Sequence, residues 1–116
     1  MAYDAHLADR MRHALAVLGA ERHHITEKQM MGGVCFFLRG NMIGGADRSK
    51  QGECRLMFRV GKGNEKAQTL AQGIPVILGN RSMPGFFFVD SERCDNSLLR
   101  SWLELALDHA GSLPPK

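Results

Sequence analysis

Apolar residues recur along the first twenty positions at intervals of three and four: Leu7, Met11, Leu15 and Leu18. That spacing puts them on one face of a helix from about Asp4, its N-cap, to Leu18, with Gly19 as the stop. Asp9, Arg10 and Arg12 fall on the opposite, solvated face. The pattern then changes to short segments of strand composition, Ile25–Met31, Gly33–Arg39 and Asn41–Ala46, separated by Gly32-Gly33 and Gly40-Asn41. Such short connections leave no room for a parallel crossover, so consecutive antiparallel pairing is expected.

The clearest strand is Cys54–Val60. Cys54, Leu56, Phe58 and Val60 point one way and Arg55, Met57 and Arg59 the other, giving one core face and one basic face. The segment before it, Asp47 to Gly52, is polar and without period, and reads as a surface loop. Gly61 and Gly63 break the strand, Asn64 caps a short helix to about Gln72, and Ile74–Leu78 and a turn at Gly79-Asn80 lead to a fifth strand, Gly85–Val89. Phe86-Phe87-Phe88 makes both faces of that strand aromatic, so it needs cover on both sides, from the chain's own helices or from a second copy in a homodimer. A closing helix from Asn96 to Ala110, capped by Asp95, turns Leu99, Trp102, Leu103, Ala106 and Ala110 inward. The order predicts one α+β domain over residues 1–116, a single antiparallel sheet of about five strands flanked by N-terminal and C-terminal helices.

Composition narrows the class. A chain of 116 residues is one domain's worth of core, and its apolar and charged fractions of 44 % and 23 % are those of a globular protein. The longest apolar runs fall far short of the ~18 residues a membrane span requires. Asp4 and Asp9 stand where a secretory leader would be basic and then apolar, so a cytoplasmic location is expected. Cys35, Cys54 and Cys94 are odd in number and widely spaced, which points to buried free thiols rather than disulfides or a zinc site. The net charge of +3 is concentrated: residues 39–66 carry seven basic and three acidic groups. This marks Arg55, Arg59 and Lys62 as candidate contacts for an anionic or protein partner.

Motifs for catalysis are missing. No P-loop or dinucleotide glycine spacing, no HExxH and no nucleophile elbow occurs, so no catalytic, cofactor or metal residue is assigned and enzymatic activity is not expected. His6 and His13 lie seven apart and share a helix face, where surface placement is expected over metal ligation.

The ordered segments Lys28-Gln29-Met30-Met31-Gly32-Gly33, Gly40-Asn41-Met42, Leu56-Met57-Phe58-Arg59-Val60-Gly61, Arg81-Ser82-Met83-Pro84-Gly85 and Val89-Asp90 resemble the TfoX/Sxy N-terminal domain. The resemblance spans essentially the whole chain and implies a stand-alone version of that domain. The chain departs from the family pattern at Met31, at Asn80-Arg81-Ser82-Met83 and in the loop 47–53, while keeping Lys28, Arg59 and Arg81. It implies an α+β fold with an antiparallel sheet, no cofactor, and a regulatory role in which longer members control competence genes beside a transcription regulator. A protein-binding module with Lys28, Arg55, Arg59, Lys62 and Arg81 as contact residues is therefore the expected function. Two alternatives are direct nucleic-acid binding through the basic sheet face and a small-ligand domain. The opposing structural reading has these cations hold the fold, with an arginine paired to Asp90.

Overall fold

The structure is a computed structural model that describes residues 5–19, 24–30, 33–48 and 52–116. Helix α1 (Ala5–Val17) leads into strands β1 (Ile25–Met30), β2 (Gly33–Leu38), β3 (Asn41–Arg48) and β4 (Cys54–Arg59). Helix α2 (Glu65–Thr69), strands β5 (Ile74–Leu78) and β6 (Arg81–Asp90), a 3-10 turn at Ser91–Arg93 and helix α3 (Asn96–Ser112) complete the chain. The six strands form one antiparallel sheet in the order β1-β2-β3-β4-β6-β5. The expected Asp4 cap, and the Met31 and Gly32 positions, lie outside the described residues.

Three features depart from the sequence reading. Ile74–Leu78 is a strand, and β6 begins at Arg81 rather than Gly85, so the sheet has six strands. The consecutive meander also stops at β4, whose second neighbour is β6. The chain passes through α2 before entering the sheet at its edge as β5, and the tight Gly79-Asn80 hairpin then brings β6 back beside β4. Asp47 and Arg48, read as loop, belong to β3, where Asp47 faces Arg55 across the ladder.

Turn chemistry sets the early register. Arg39 and Gly40 both have positive φ, 51° and 84°, as a two-residue turn matched to strand twist demands. The buried Asn41 side chain next to that turn donates from Nδ2 to the Pro114 carbonyl at 2.9 Å. The Lys116 amide donates to the Arg39 carbonyl at 2.9 Å, so the C-terminal residues strap the β2–β3 hairpin.

Both long helices pack on the same face of the sheet, α3 against β2, β3 and β4 and α1 against β3 and α3. Trp102 of α3 is fully buried there. Its ring stacks on Phe58 at 5.6 Å with a 14° interplanar angle and meets Phe87 at 5.3 Å. Its indole N–H donates to the Ala71 carbonyl at 3.3 Å, fixing the α2–β5 connection to the core. Gly73 passes so close that a Cβ there would lie 2.5 Å from the indole. Arg12 forks onto Glu27 at 2.7 Å through both Nε and Nη2, tying α1 to β1 at the surface.

Trp102→Ala should therefore cost about 3–5 kcal/mol of unfolding free energy. Val17→Ala, at a position 56 % exposed, should change it by less than about 0.5 kcal/mol. Urea unfolding of both variants checks the contrast.

Candidate functional site

Strand alternation turns a second row of side chains away from the helices. Register pairs Lys28 with Cys35, Cys35 with Gly45, Gly45 with Met57, Met57 with Phe88, and Phe88 with Ile74, a row that crosses all six strands. The middle of that row is shallow because its residues are small. A Cβ on Gly45 would lie 2.6 Å from the Val34 carbonyl oxygen, and one on Gly33 would lie 2.5 Å from that of Ala46. The close approach of β2 and β3 therefore excludes side chains at both positions. Beyond this floor the surface is raised by Met42 and Met57, by Phe86 and Phe88 of β6, and by Val76 and Met83 of the β5–β6 hairpin. The result is an apolar groove of about 300 Å³ on the helix-free side of the sheet. Three of the chain's seven methionines line it, unbranched side chains that repack around differently shaped occupants.

Arg55 stands at one end of the groove. Its Nε and Nη2 donate to the two carboxylate oxygens of Asp47 at 3.0 and 2.8 Å, and its guanidinium carbon lies 4.0 Å above the Phe88 ring. The two side chains are 28 % and 26 % exposed, so solvent screens the pair only in part. Planar fork and ring contact together hold the guanidinium in one orientation, while Nη1 has no partner among the described residues.

The candidate cations are thus not equivalent. Arg59 pairs in register with Phe86 and holds its guanidinium 5.9 Å from that ring. Lys28 lies on β1 beside Cys35, exposed. Lys62 occupies the turn after β4, whose backbone abuts Gly85 of β6. Arg81 opens β6, opposite Leu78. None of these four forms an ion pair among the described residues. The fold does not gather them into one cluster: β1 and β4 are three strand spacings apart, roughly 14 Å. Lys28, opposite Cys35, and Arg59, near Phe86, stand beside the groove, and the face read as basic is apolar at its centre. The pairing considered with Asp90 is replaced by Arg55–Asp47. Asp90 instead accepts from the Glu92 amide at 3.0 Å and caps the 3-10 turn.

The family-model comparison adds to this geometry. A model described as the TfoX N-terminal domain matches residues 18–110. The chain belongs to the TfoX N-terminal domain family. No curated protein and no solved structure matches it. In this TfoX N-terminal domain, the groove residues on β2, β3, β4, β5 and β6 all fall inside the matched segment.

Sequence reasoning did not foresee the groove. Met42, Val76 and Met83 carried no signal of their own, because only pairing across β2–β3 and the curl of the β5–β6 hairpin bring them to one place. Cys35, expected to be buried, is partly exposed and lines the floor. Burial raises its thiol pKa, and the nearby Asp47 carboxylate raises it further. Cys94 in the core is pushed up to about 11, mainly by burial. Behind the site, His109 of α3 packs on Gly61, where a Cβ would meet its Nδ1 at 2.6 Å. Its pKa is lowered by burial and by the charge of Arg59.

Two outcomes follow from these environments. Because the thiolate is the nucleophile, Cys35 should react with N-ethylmaleimide at pH 8 more slowly than an unstructured thiol. Asp47→Asn should speed it, and Cys94 should react last, as mapped by mass spectrometry of timed samples. His109 resists protonation in the folded state, so the unfolded chain takes up more protons below about pH 6.5. The stability gained from neutral His109 is complete above that pH and is lost as pH falls toward the lower folded pKa. His109→Gln should flatten that part of the stability profile measured between pH 7.5 and 5.

Proposed function

We propose that this TfoX N-terminal domain is a non-catalytic regulatory module that binds a protein partner on the helix-free face of its sheet. The observation that carries the reading is the apolar, methionine-lined groove, with Lys28 and Arg59 beside it and neither paired to a carboxylate among the described residues. Its volume of about 300 Å³ lies at the low end of small-molecule sites and has room for one large apolar side chain with part of its neighbours. Lys28 and Arg59 beside the groove, together with Lys62 and Arg81, favour acidic residues on either side of that anchor. Arg55, already neutralised by Asp47, offers Nη1 to an uncharged acceptor such as a main-chain carbonyl. The partner thus takes the form of a segment with one bulky apolar residue set among Asp and Glu. In line with the resemblance to competence regulators, a transcription-regulating protein is the class that such a segment would belong to.

Nucleic acid fits this face less well. The central arginine is paired, it covers the Phe88 ring on which a base would stack, and the groove between the cations is apolar rather than phosphate-binding.

A displayed peptide library selected on the wild-type domain should enrich an aromatic or aliphatic anchor flanked by acidic residues. Cys35→Trp, which fills the floor, and Arg59→Glu, which reverses a flanking charge, should each weaken the selected peptides at least about tenfold by calorimetry. Both variants should keep wild-type circular dichroism. Selected peptides that bind both folded variants as tightly as wild type would exclude the groove. A duplex DNA fragment that binds with steep salt dependence while no peptide is enriched would move the function to nucleic acid.

A further inference from the structure

The face opposite the groove holds a second, chemically different site. His6, Arg10 and His13 recur on α1 at intervals of four and three, and Asn96 and Arg100 recur on α3 at an interval of four. Each set therefore shares a helix face. Where α1 packs on α3, these faces meet around a cleft of about 270 Å³. Helical periodicity and packing thus bring two arginines and two histidines into one hollow, although α1 and α3 are far apart in sequence.

Neither arginine in this cleft is paired to a carboxylate among the described residues. Among the described residues Arg10 bonds only neutral acceptors. Its Nη2 donates to the Cys94 carbonyl at 2.7 Å and to Asn96 Oδ1 at 3.2 Å, and its Nη1 donates to the Ser91 carbonyl at 3.4 Å. The guanidinium is thereby fixed in place with its charge intact. Arg100 has no ion pair or hydrogen bond among the described residues. The one acidic group in the lining, Asp9, is bonded to Arg12, which also holds Glu27. The Asp95 carboxylate beside the cleft is engaged in capping α3, accepting from the Leu98 amide at 2.8 Å. A fixed arginine, an unengaged one and two imidazoles around a space larger than a single phosphate constitute a receptor for a compact dianion with a small substituent.

We infer that the α1–α3 cleft binds the phosphate group of a small phosphomonoester. Arg100 and Arg10 supply the charge, and His6, His13 and Asn96 line the space for the ester substituent. The inference does not depend on the groove, which lies on the other side of the sheet.

Amide chemical shifts of the ¹⁵N-labelled protein at pH 6.5 and constant ionic strength test it, with inorganic phosphate, ribose 5-phosphate and an unphosphorylated single-stranded oligonucleotide as probes. Phosphate should give saturable shifts confined to the α1 face and the first turns of α3, and ribose 5-phosphate should bind more tightly. Arg100→Gln should weaken phosphate at least about tenfold, whereas Lys66→Gln, an exposed cation on α2 outside the cleft lining, should leave it unchanged. Unsaturable shifts spread over all basic residues, equal affinity in folded Arg100→Gln, or binding of the oligonucleotide alone would each overturn the assignment. Loss of peptide binding at the groove would leave this result unaffected, so the two readings fail separately.

Discussion

Trp102 is the contact on which the rest of the arrangement depends. Its ring lies on Phe58 of β4 and Phe87 of β6, its N–H is satisfied by Ala71, and Gly73 gives it room. One side chain therefore fixes α3 to the centre of the sheet, seats β6 beside β4 and places the α2–β5 connection. The order β4-β6-β5 turns Phe87 against the core, and the alternation of β6 then sends Phe86 and Phe88 to the opposite face.

A sheet covered by helices on one face has a problem on the other, since both faces of β6 are aromatic. The chain meets it in part with its own groups. Arg55 lies over Phe88 and is fixed by Asp47, and Arg59 lies near Phe86. These contacts cover the rings with planar, weakly hydrated cations instead of a helix. They leave an apolar hollow where Gly33, Cys35 and Gly45 offer no bulk. The groove is thus a consequence of β2 and β3 approaching too closely for side chains, and the methionines around it supply an adaptable wall.

The two faces consequently offer different chemistry. The sheet face is apolar at its centre with cations at its borders, suited to an apolar anchor. The junction of α1 and α3 is polar and positive, suited to a small anion. Cys94 and His109 lie on the covered side and respond to burial rather than to solvent, which ties their titration to the integrity of the fold.

Local periodicity was enough to determine the α+β class, the two long helices and their buried residues, and the inward row of β4, because these depend on spacing within one segment. The motif order was enough to indicate the family. Pairing between distant segments decided the remainder. The sequence shows Asp47 in a polar stretch, and only the β3–β4 register places it against Arg55. It shows Arg55, Met57 and Arg59 as a polar row, and only the neighbours contributed by β2, β3 and β6 make that row the edge of an apolar groove. His6 and His13 read as surface residues sharing a helix face, and the packing of α1 on α3 brings them into one cleft with Arg100. Spacing along the chain specifies which side chains share a face, whereas what a face meets depends on contacts between residues far apart in sequence, which no local pattern encodes.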